Sequence, residues 1–201
     1  VKAIAEIEKE ITAAAEPLKS ILTNYAAEAY WQYLQNNRWK FYNRTNTTGY
    51  VKTDIETWTI DDLHKKISSL YLASLKNKKL LQQTKLDAYD AVINKGNVRH
   101  LRPTLYDLLA HRAIDYFNND ERSISKPEEV FEINMAAAFD PAADFITRKF
   151  PTADSSSLTY KALFLYKELI AFHINDKKAD ALMDVDLLRL QFVKQHATME
   201  N

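Results

Sequence analysis

Residues 158–197 read LTYKALFLYKELIAFHINDKKADALMDVDLLRLQFVKQHA. The stretch is rich in Leu, Ala and Lys, which favour helix. A short connection at Asn175-Asp176-Lys177 divides it into helices over 158–174 and 178–197, an antiparallel pair. Asp154-Ser155-Ser156-Ser157, just ahead, is a capping and loop signal.

Working back from this pair, the same unit recurs. Thr104 and Asp107 make a capping box after Pro103 and open a helix over 104–118, with Leu105, Leu108, Leu109, Ala113, Tyr116 and Phe117 among its stripe. Thr59 and Asp62 make another, opening a helix over 60–79 lined by Leu63, Ile67, Leu70, Tyr71 and Leu75. A short helix over 86–94 precedes the break at Gly96. At the start, Ile4, Ile7 and Ile11 set a helix over 2–14. Pro17 ends it or opens the next, since proline suits a first turn and not an interior. The second helix, 17–37, has Leu18, Ile21, Leu22, Tyr25, Ala29, Tyr33 and Leu34 as its expected apolar stripe. Asn43–Gly49 reads as a polar loop. Residues 119–157 are less regular, with an extended piece at Val130–Asn134 and a short helix over 141–148.

The expected fold class is therefore all-α: stacked helical hairpins in an α-α superhelix. It is only loosely tetratricopeptide-like, for no period of about 34 residues is present. The chain opens inside an amphipathic pattern, Val1–Ile7, with no cap. The expectation is a single helical domain over 1–201, part of a much larger protein, with a split into sub-parts 1–118 and 119–201 left open.

Composition narrows the chemistry. The 27 basic residues balance the 27 acidic ones, so the whole chain has no electrostatic pull toward nucleic acid. There are 2 glycines, Gly49 and Gly96, among 201 residues, where average usage gives about 14. Glycine-rich nucleotide-binding loops are excluded. With no cysteine, disulfides, cysteine-ligated zinc, a cysteine nucleophile and a thioester are excluded from this stretch. No apolar run approaches the ~20 residues of a membrane span, so no membrane insertion is expected.

The candidate residues carry structural readings beside chemical ones. None of the five histidines, His64, His100, His111, His173 and His196, falls in a zinc-protease motif. His111 is expected to pack or cap rather than act as ligand or base. Asp184 and Asp186, near a helix start, suit the helix dipole better than a metal. A helical hydrolase or metal protein built from His111, His173 and the Asp184/Asp186 pair is the enzymatic alternative. Ser155–Ser157 lack the context of a nucleophile and read as loop and cap. Asn43-Arg44-Thr45 and Asn46-Thr47-Thr48 match a glycosylation pattern that is common by chance. Tyr30, Trp31, Tyr33, Trp39, Phe41 and Tyr42, interleaved with Arg38 and Lys40, read either as a stacking platform or as wedges between helices; net neutrality favours wedges. Trp58 is expected to pack likewise. No catalytic, cofactor-binding or metal residue is assigned, and Tyr25, Trp31, Trp39, Leu105, Tyr106, Leu109, Phe172 and Leu187 are expected in the core.

Three stretches stand out together: Ala26–Thr45 (AAEAYWQYLQNNRWKFYNRT), His100–Phe117 (HLRPTLYDLLAHRAIDYF) and Ala179–Ala197 (ADALMDVDLLRLQFVKQHA). With Thr57-Trp58, Leu70–Leu75 and Leu81-Gln82-Gln83, they resemble the N-terminal helical region of bacterial alpha-2-macroglobulin family proteins. The likeness covers most of 17–197 and is most specific at Arg102–Asp107. It implies a non-catalytic helical scaffold or interaction domain of a protein that inhibits or traps proteases. The parent protein would be an exported lipoprotein of the periplasm or cell envelope. Its partners would be the parent's own macroglobulin domains, proteases or an envelope protein. Neither a thioester nor a bait region maps onto these residues. The alternative is an independent peptide- or protein-binding α-solenoid module.

Overall fold

A computed structural model describes residues 1–41, 55–94, 96–119 and 129–199. The loop Asn43–Gly49, the two glycosylation patterns and Tyr42 lie outside the described residues. All regular structure among the described residues is helical: eight α-helices, with short 3-10 turns between them. The chain divides into two compact units. Among the described residues, the first lies within Val1–Lys78 and the second comprises those from Lys79 on. This division does not follow a split into sub-parts 1–118 and 119–201. Leu105–Phe117 packs on Leu158–His173, which draws residues before 118 into the second unit.

In the first unit, α1 (Lys2–Ala13) and α3 (Ile60–Ser74) both pack against α2 (Leu18–Asn37). Both halves of the Thr59 capping box form: the Thr59 side chain accepts from the Asp62 amide, and Asp62 accepts from the Thr59 amide at 2.9 Å. Leu63, Ile67 and Tyr71 are buried as their spacing predicts. The helix stops at Ser74, short of the expected 79. The Ser74 hydroxyl donates to the Tyr71 carbonyl, and the Leu75 amide turns to Leu72 in a 3-10 closure.

The expected face of α2 is corrected. Leu18 and Tyr25 are solvent-exposed, Tyr25 at 49 %. Leu34 is buried as expected, on a face that otherwise runs through Ser20, Thr23, Asn24, Ala27 and Tyr30. Ser20 lies two positions on from Leu18 and Ala27 two on from Tyr25, about 200° round the helix. The physical reason is how the small polar side chains are satisfied. Thr23 donates to the Lys19 carbonyl at 2.7 Å, Ser20 to Glu16 at 2.7 Å, and the Asn24 amide to the Ser74 hydroxyl at 3.1 Å. Small groups with filled hydrogen bonds bury cheaply and let helices approach.

The second unit takes up the chain within α4 (Lys78–Gln83) and is built from α5 (Leu105–Phe117), the short α6 (Ala142–Phe145), α7 (Leu158–His173) and α8 (Asp180–His196). α7 packs on both α5 and α8, the antiparallel pair read from sequence. The expected helix over 86–94 is only a 3-10 turn, Leu86–Tyr89. Gly96 takes φ +61°, the left-handed region, with nothing within 4 Å of a built Cβ, so the backbone alone calls for glycine there. The extended piece at 130–134 forms one parallel bridge, Ile133 to Ala197. The Thr198 amide donates to the Ile133 carbonyl at 3.1 Å.

Candidate functional site

The polar residues of the second unit gather where α5, α7 and α8 meet, and they begin at the α5 cap. The Thr104 hydroxyl accepts from the Asp107 amide at 3.3 Å and donates to Asp107 Oδ2 at 2.7 Å. The Thr104 amide donates to the same oxygen at 2.9 Å. The second oxygen of Asp107, Oδ1, lies 2.7 Å from His173 Nε2. Asp107 is fully buried, at 0 % exposure. A buried carboxylate is tolerable only when paired and hydrogen-bonded, and here both oxygens are engaged.

His173 sits in the last turn of α7 and continues its buried face from Leu169, four residues back. Its other ring nitrogen, Nδ1, lies 2.7 Å from Asp176 Oδ2, in the connection to α8. Burial alone would lower its pKa. The bonds to Asp107 and Asp176 outweigh burial and hold it above the ordinary imidazole value.

His111 is buried one turn after Asp107. Its Nδ1 lies 2.9 Å from the Asp107 carbonyl, an acceptor, so Nδ1 carries the proton. Its Nε2 is buried without a hydrogen bond, and Asp184 Oδ2 stands 4.0 Å from it. Burial and the Arg102 guanidinium push the His111 pKa down, against the pull of Asp107 and Asp184. Arg102 Nε donates to Asp184 Oδ2 at 3.1 Å.

The structure separates the members of the enzymatic alternative. Asp184 pairs with Arg102 and faces His111, whereas Asp186 accepts from Arg189 Nε at 3.0 Å and Nη2 at 2.5 Å. His173 is bound to Asp107 and Asp176 instead. Among the described residues, no three His, Asp or Glu side chains are grouped to hold a metal ion. Ser157 caps α7, accepting from the Tyr160 amide at 3.1 Å, and Ser156 donates to Asp154, as a loop-and-cap reading predicts.

Arg189 escaped sequence reasoning. It is fully buried, donates to the Ala138 carbonyl at 2.5 Å and the Asp140 carbonyl at 3.0 Å, and lies 4.5 Å over the Phe145 ring. The signal was present: Ala181, Val185, Arg189 and Phe192 share one helical face. Its burial also corrects Leu187, expected in the core but 57 % exposed on the opposite side of α8. Phe172 is only half-buried, edge-on to Tyr106 at 5.8 Å, while Leu105, Tyr106 and Leu109 are core as expected.

In the first unit the aromatic cluster divides. Tyr30 is buried, stacked on Trp58 at 5.7 Å, and donates to Glu8 at 3.0 Å. Glu8 pairs with Lys66 at 2.7 Å, whose ammonium lies 5.5 Å over the Tyr30 ring. Phe41 is buried edge-on to Tyr33. Half-buried Trp31 lies beside His64, which burial depresses to about 4. These are wedges. Trp39 is not: it is 71 % exposed in the 3-10 turn after α2, with Lys40 5.4 Å from its ring. A core assignment fails there because the turn carries the indole outward.

The fold defines an all-α protein, and no helix among the described residues is long and apolar enough to cross a membrane. Compared with known proteins, the chain matches no family model, no curated protein and no solved structure.

Proposed function

We propose that the chain is a non-catalytic helical scaffold or interaction domain of an alpha-2-macroglobulin-like protein that inhibits or traps proteases. Under this reading its hairpins stack as a loosely tetratricopeptide-like superhelix. They position the parent's macroglobulin domains or dock an envelope partner. The parent is an exported lipoprotein of the periplasm or cell envelope.

The observation that carries the reading is the use made of Arg102–Asp107, the most specific part of the resemblance. Arg102 holds Asp184, Thr104 caps α5, and Asp107 binds His173. Residues engaged with one another in this way support a frame rather than a reaction centre. The test is protease retention by the parent protein with and without residues 1–201. The expected result is that deletion leaves bait cleavage intact and lowers the protease retained. A parent that retains no protease in either form overturns the reading.

A second reading, a free-standing peptide-binding module, draws on exposed Trp39 with Lys40 beside it and exposed Tyr25. A peptide that binds the isolated chain and loses affinity in Trp39→Ala would favour it.

A further inference from the structure

We propose that His173 is a proton-operated latch on the α7–α8 hairpin, closed when both ring nitrogens carry protons and open at the Asp176 side when Nδ1 loses its own. The geometry requires two protons. Nε2 lies 2.7 Å from Asp107 and Nδ1 2.7 Å from Asp176, and both partners are carboxylates. A neutral imidazole has one N–H and one lone pair, so it satisfies one carboxylate and sets a lone pair against the other. With the ring only 2 % exposed, no solvent shell softens that opposition.

Which side opens follows from the surroundings. Asp107 is fully buried and fixed through its other oxygen by Thr104. Its bond to Nε2 ties α5 to α7 inside the core. Asp176 is half-exposed, on the six-residue connection between the helices. Water can take over its carboxylate, so the Nδ1 proton is the one released. The connection then keeps the Asp176 amide on the His173 carbonyl at 3.0 Å but loses its side-chain tether.

The other ionisable groups on the packed elements do not bond to the His173 ring. On α5, burial raises the Tyr106 pKa with Glu168 and Asp107 adding, and burial with Arg102 lowers that of His111 against Asp107 and Asp184 of α8. Lys177, Lys178 and Asp180 in and after the connection are exposed. Asp107 and Asp176 are the charged groups that act on the ring, and they raise its pKa against the cost of burial. The linkage sign is then fixed. A histidine with a raised folded pKa contributes its full stabilisation below the unfolded value of about 6.5 and loses it as pH rises through the folded pKa.

The test is a titration of the histidine ring nitrogens in the intact 201-residue chain, by nitrogen-15 NMR. His173 should show protons on both nitrogens at pH ~6 and titrate with a midpoint above about 6.5. Amide exchange at 174–178, corrected for its intrinsic pH dependence, should speed up roughly tenfold across that midpoint. In Asp176→Asn the midpoint should fall and the exchange should lose its pH dependence. A ring with a single N–H at pH ~6, a midpoint at or below about 6.5, or exchange at 174–178 that ignores pH in the wild type would each overturn the latch.

Discussion

Asp107 shows how much one side chain can hold. It accepts from Thr104 twice and from His173, with no exposure to solvent. Removing one partner of such a buried pair leaves a charge uncompensated. Asp107→Ala should therefore cost about 3–5 kcal/mol in denaturant unfolding, whereas Asp176→Ala, at the half-exposed end, should cost less than about 1 kcal/mol near neutral pH. His64 runs opposite to His173. Its folded pKa is depressed to about 4 by burial, with Arg38 adding and Asp61 opposing. A depressed histidine contributes stability that is present above about 6.5 and lost as pH falls toward the folded value. Wild type should thus lose stability relative to His64→Gln between pH ~6.5 and ~4, by up to about 3 kcal/mol; parallel pH profiles of the two would contradict the assignment. At this scale the sequence was half legible. The Thr104–Asp107 box announces itself at three-residue spacing, but the bond from Asp107 to His173 spans 66 residues and leaves no local mark.

At the scale of elements, capping boxes and apolar periodicity marked the starts of α3 and α5 correctly, and the α7–α8 pair followed from one short polar connection. The faces of α2 and α8 were less legible, for one reason. Pattern reading takes polar residues as outward, yet Ser20, Thr23, Asn24 and Arg189 are buried with hydrogen bonds to backbone carbonyls or to the side chains of Glu16, Ser74 and Asp186. The consequence is a sharp contrast between two leucines once expected in the core. Leu109→Ala should cost about 2–5 kcal/mol, while Leu187→Ala should fall within about 0.5 kcal/mol of wild type. Thermal melts of the two variants check this; equal losses would mean that the face of α8 is misassigned. Arg189→Ala should destabilise by about 3–5 kcal/mol, because it leaves Asp186 and the carbonyls of Ala138 and Asp140 without their donor. Faster amide exchange over 136–145 in that variant would locate the damage.

At the scale of the whole molecule, the near-absence of glycine and the recurrence of caps were enough to read an all-α protein, while the division into two units was not legible. It depends on α5 pairing with α7, an element distant in sequence. The function we propose rests on the resemblance carried by 26–45, 100–117 and 179–197. Inside the second unit, much of the polar character of the latter two stretches serves internal bonds. The most direct measurement is therefore to read the open reading frame that encodes this chain. The scaffold account predicts a lipoprotein signal upstream and, downstream, repeated β-sandwich patterns with a bait segment or a Cys-x-Glu-Gln thioester. A frame with no β-rich extension would contradict it.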